Sequence, residues 1–101
     1  MKILGIKDIA YNKQQEYKAE YITWSLNNPG QLMMGALSKE TGAILAGYCE
    51  NIEEINLLLK IEYRRWKDSI DKKQINGHKW VIQGLEEVKE EYLKHNPNVQ
   101  N

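Results

Sequence analysis

The segment KIEYRRWKDSIDKK, residues 60 to 73, gathers Lys60, Arg64, Arg65, Lys67, Lys72 and Lys73 around Tyr63 and Trp66. Guanidinium groups pair bidentately with phosphate or carboxylate, and aromatic rings stack on bases. The types and spacing therefore suit nucleotide or nucleic-acid binding. Residues 60 to 79 hold seven basic and three acidic side chains, a local excess of four positive charges. The competing reading is an amphipathic helix whose Tyr63 and Trp66 face a core while its cations meet water. At ~100° per residue from a helix start at Ile52, Trp66 returns close to the Ile52 face and is expected in the core. Arg64 and Arg65 then point toward a partner or solvent, with Lys60 and Lys67 beside them. Tyr17 and Tyr21 offer a second candidate surface, on the exposed side of a sheet.

No catalytic constellation emerges from the rest of the chain. His78 and His95 stand 17 positions apart, and neither joins a Cys or carboxylate at metal-ligand spacing. Cys49 follows Tyr48 and precedes Glu50, with no cation near it in sequence to stabilise a thiolate, and reads as a small core residue. The glycines at 30, 35, 42 and 47 form neither G-x-x-x-x-G-K-[ST] nor G-x-G-x-x-G. The chain is therefore read as non-catalytic, with no cofactor and no metal.

The elements that must carry these residues divide near Asn51. In KAEYITWSL, residues 18 to 26, Ile22, Trp24 and Leu26 alternate with Tyr21, Thr23 and Ser25, the period of a half-buried strand. The spacing of Tyr17, Tyr21 and Trp24 supports a helix instead. NNPG suits a tight turn, and KETG suits a hairpin turn with Gly42 in the left-handed position, so QLMMGALS and AILAGYC read as paired strands. KILGIKDIAY would add another strand, joined through NKQQ. The expected fold is α+β: an N-terminal antiparallel β-meander of about four strands, then a C-terminal αα-hairpin. The alternative is all-α, which has to carry Gly35, Gly42 and Gly47 inside a helix at ~1 kcal/mol each.

From Asn51 the period becomes helical. NIEEINLLLKIEYRRWKDSIDKK opens with an Asn cap and Glu54 three residues on, and places Ile52, Ile55, Leu59, Tyr63, Trp66 and Ile70 along one stripe. Asn76-Gly77 in a short QING link ends that helix, and HKWVIQGLEEVKEEYLKH forms the second, its glutamates opposing the basic first helix. Leu57, Leu58, Ile61 and Trp80 widen the apolar surface beyond one seam.

A chain of 101 residues is one domain, here 1 to 95, with a frayed tail from 96 to 101. Lys+Arg and Asp+Glu both number 14, so total charge points neither to a basic nucleic-acid binder nor to an acidic mimic. A single cysteine allows no internal disulfide, which favours the cytoplasm. Lys7 and Asp8 interrupt the N-terminal apolar run, and no stretch approaches the ~20 residues that span a bilayer. Abundant Lys, Ile and Asn with no Phe suggest an AT-rich genome. Short length and abundant Trp and Tyr point to a small binding protein, of phage or mobile-element origin, that inhibits a host protein. Homo-oligomerisation through the helical hairpin is expected as well. The alternative function is an oligomeric nucleotide or nucleic-acid binder using residues 60 to 73.

Overall fold

The computed structural model describes residues 4–29 and 38–97, and among them every regular element is a helix. These are α1 (Ile6–Asn27), α2 (Lys39–Gly47), α3 (Ile52–Asp68) and α4 (Lys72–His95). The expected β-meander is absent from the described residues, and the fold is all-α. KAEYITWSL and the supposed NKQQ turn both lie inside α1. Gln, Glu, Lys and Ala dominate residues 12 to 20 and are strong helix formers, and Ile6, Ala10 and Tyr17 are buried at helical spacing. The alternation in KAEYITWSL was a coincidence of β-rich residue types on a surface that α1 leaves largely exposed beyond Tyr17.

The turn signals mark real boundaries of the wrong elements. NNPG ends α1: the Asn28 amide donates to the Ser25 carbonyl at 3.3 Å and its Nδ2 donates to the Trp24 carbonyl at 2.8 Å. KETG is the first turn of α2, capped by Ser38 Oγ, which accepts from the Thr41 amide at 3.2 Å. AILAGYC continues α2 to Gly47. Of the strand expected over residues 31–38, all but Ser38 lies outside the described residues, and Ser38 caps α2.

Gly42 is a packing residue. A Cβ built on it would lie 2.2 Å from the Val81 carbonyl oxygen and 2.9 Å from the Gly84 Cα. On Gly84 a Cβ would lie 2.2 Å from the Lys39 carbonyl oxygen. The two glycines let the α2 and α4 backbones touch, with Ala43 and Ala46 fully buried on the same short helix. Dispersion contacts along this crossing offset the ~1 kcal/mol that each helical glycine costs. α1 runs antiparallel to α4, with Asn96 Nδ2 donating to the Leu4 carbonyl at one end and Tyr17 meeting Glu87 farther along. Asn96 thus links the end of α4 to the residues just before α1.

The C-terminal helices pair, with altered bounds. Asn51 Oδ1 accepts from the Glu54 amide at 3.0 Å, and the Glu54 carboxylate accepts from the Glu50 amide. α3 stops at Asp68, where the expected helix ran on to Lys73. Ser69 and Ile70 form the link, and Asp71 Oδ1 caps α4 by accepting from the Lys73 amide at 2.9 Å. Asn76-Gly77, expected to be a break, lies inside α4, and Gly77 is buried there. α4 is the hub, packed against each of the other three helices. The core joins Ile9, Ile55, Val81, Leu85 and Val88, and the molecule is a slab only 17 Å thick.

Candidate functional site

The cleft is lined by residues of the long helix α1, the short helix α2 and α4. α2 has 9 residues and α1 has 22, about 14 Å against about 33 Å. A cleft of about 540 Å³ lies beside Lys39, at the start of α2. Tyr17, Tyr21 and Trp24 enter it from α1 and Trp80 from α4, while Glu20, Lys39 and Glu40 lie along it. The three α1 aromatics repeat at i, i+4 and i+7, one face of the helix. The Tyr21 and Trp24 ring centroids are 6.4 Å apart, with planes 21° from parallel. A volume of this order holds a small ligand or one or two side chains.

Polar contacts lock the inner end. The buried Tyr17 hydroxyl donates to Glu87 Oε1 at 2.9 Å, and Lys39 Nζ lies 3.8 Å from Glu87 Oε2. Lys39 Nζ also sits 5.7 Å above the Tyr17 ring centroid. Burial, then the hydrogen bond to Glu87 and its charge, push the Tyr17 hydroxyl far above the ordinary tyrosine range. Tyr17 stays neutral and donates. Glu20 and Glu40 form no hydrogen bond or ion pair among the described residues.

The six residues singled out from sequence do not converge. Tyr17 and Tyr21 meet at the cleft, Tyr17 as its buried floor and Tyr21 as its exposed wall, and on helices rather than a sheet. Lys60, Arg64, Arg65 and Lys67 are exposed on α3, which packs chiefly on α4 and takes no part in the cleft. Arg65 Nη1 donates to Glu62 Oε1 at 2.9 Å, whereas Arg64, Lys60 and Lys67 have no partner among the described residues. Trp66 was expected in the core and is 38% exposed. It lies on the predicted stripe but near the end of α3, and the first residues of α4, Lys72, Lys73 and Gln74, are exposed as well.

Glu62, one of the three acidic residues counted within residues 60 to 79, is 4% exposed. Besides Arg65 it accepts from His78 Nδ1 at 2.9 Å, across the α3–α4 seam. No sequence spacing announced this pair, because 16 residues and the link separate its members. Among the described residues no lysine or arginine of α3 pairs with a glutamate of α4; Tyr63 instead donates to Glu86, with the Tyr63 ring edge-on to Trp66. Glu86, burial and that same charge raise the Tyr63 hydroxyl. Cys49 is buried, and burial followed by the charge of Glu54 raises its thiol. Among the described residues no group of His, Cys, Asp and Glu could hold a metal, and no helix is long and apolar enough to cross a membrane.

Among the described residues the class is all-α, four helices with an open aromatic cleft. Comparisons with protein-family models, with curated proteins and with solved structures found no match.

Proposed function

We propose that this is a binding protein that takes a segment of another protein into the cleft between α1, α2 and α4. The supporting observation is the convergence of Tyr21, Trp24 and Trp80, all partly exposed, on one concavity of about 540 Å³. Aromatic rings are the commonest interface anchors, because they bury large area at small entropic cost. The protein acts by occupancy, as a small phage or mobile-element inhibitor of a host protein does. The test is capture from a lysate of the source or host on immobilised wild type, Trp80→Ala and Arg64→Glu proteins. Proteins retained by wild type and by Arg64→Glu but lost by Trp80→Ala support the cleft. Equal retention by all three removes it.

A second reading is favoured by the exposure of Trp66. With Tyr63 it forms an aromatic edge flanked by Lys60, Arg64 and Lys67, a surface able to stack on bases and meet phosphates. Oligonucleotide binding that weakens steeply with added salt and is lost in Arg64→Glu would favour it.

A further inference from the structure

We infer that the cleft selects a basic side chain, an arginine presented by the partner protein; this rests on the binding reading above. Charge carries the argument. Of the charged groups along the cleft, Lys39 is committed to Glu87 and to the Tyr17 ring. Glu20 and Glu40 remain as carboxylates without a hydrogen bond or ion pair among the described residues, one on α1 and one on α2. An apolar anchor covering the rings would offer no partner to either carboxylate. A cation satisfies them.

The rings point the same way. Tyr21 and Trp24 present near-parallel faces, 21° apart, and Trp80 approaches from the other helix. Planar guanidinium stacks on such faces while its edge donates to carboxylates, a geometry that the compact lysine ammonium lacks. The inner end already shows the chemistry in miniature, with the protein's own Lys39 Nζ 5.7 Å above Tyr17 and paired to a carboxylate.

The test follows the indole N–H signals of Trp24, Trp66 and Trp80 by NMR in the intact chain, titrated with acetyl-Gly-Gly-Arg-Gly-Gly-amide. The same peptide with citrulline in place of arginine keeps the shape without the charge, and a leucine version tests an apolar anchor. The arginine peptide should move Trp24 and Trp80, leave Trp66 still, and reach its midpoint at a concentration about fivefold below the citrulline and leucine peptides. In the Glu20→Gln/Glu40→Gln variant, whose changes are confined to the cleft rim, that advantage should vanish. If the leucine peptide moves both indoles first, or the advantage survives in the variant, the arginine inference fails and the cleft stands as a binding site. If no peptide moves Trp24 or Trp80 at tens of millimolar, both fail. If those two signals shift with protein concentration alone, the occupant is a second copy and the inference is overturned.

Discussion

The two sides of α4 are built on opposite terms. Toward α2, Gly42 and Gly84 bring backbone against backbone with no room for one methyl group, and Ala43 and Ala46 complete a seal. Toward α3 the seam is made by side chains, including the buried Glu62 held by His78 and Arg65. Backbone contact positions helices tightly and leaves no side chain free for other work. The cleft begins where that contact ends, one turn before Gly84, at Trp80. Tight packing at the crossing thus fixes how far apart the cleft walls stand.

The comparison breaks most sharply at the glycines. Gly42→Ala and Gly84→Ala should each lower stability by about 3 kcal/mol or more, the upper end of overpacking costs, because the obstacle is main chain. A turn glycine at positive φ would lose only about 1 kcal/mol on the same change, and an ordinary helical glycine would gain by it. Denaturant unfolding measures the difference, and a stabilised Gly42→Ala protein would contradict the crossing. On the other side of α4, His78→Ala leaves Glu62 buried with Arg65 alone and should cost about 2–3 kcal/mol. Lys79→Ala, at an exposed position next along α4, should change little.

These two sides also show what could be read from the sequence. The helices after Asn51 were legible because their apolar residues recur at helical spacing and Asn51 caps a real terminus. The N-terminal half was misread because glycine has two uses: at Gly42 the sequence cannot distinguish a turn needing positive φ from a helix needing no side chain. The deciding residue, Gly84, lies 42 positions away on another element. The cleft was half legible. Tyr17, Tyr21 and Trp24 carry helical spacing, but Trp80, Lys39 and Glu40 join them only once α2 and α4 are placed. His78 was set aside and Glu62 entered only as one acidic residue among three, since burial of a charge is a property of the fold.

The inner end of the cleft gives a smaller effect with a pH signature. The Tyr17 hydroxyl is held neutral, its pKa raised above the unfolded value of about 10. The stability it contributes is therefore full below pH 10 and is lost as pH rises past that value, since the unfolded chain ionises first. Tyr63 adds in the same direction. Tyr17→Phe should cost about 1 kcal/mol at neutral pH and lose less stability than wild type between pH 9 and 11. Parallel declines in the two proteins would mean that Tyr17 ionises as readily in the fold as in the unfolded chain.

The smallest effect separates two neighbours that the sequence treats as equivalent. Arg64 has no partner among the described residues, so Arg64→Glu should shift stability by less than about 0.5 kcal/mol. Arg65 donates to a Glu62 that is almost fully enclosed, while its own side chain is 61% exposed. Reversal at Arg65 removes a partner and sets a second carboxylate one helical turn from the first, a like-charge pair at i,i+3. Solvent around Arg65 screens part of this, and the expected cost is about 1–2 kcal/mol. The double Arg64→Glu/Arg65→Glu variant should accordingly melt below wild type and match Arg65→Glu alone. Arg65→Gln, which keeps a donor to Glu62 without the new charge, should recover about half of the loss. Equal melting temperatures for the Arg64→Glu and Arg65→Glu proteins would show that Glu62 relies on His78 alone, and the α3 side of α4 would then be held by one polar contact instead of two.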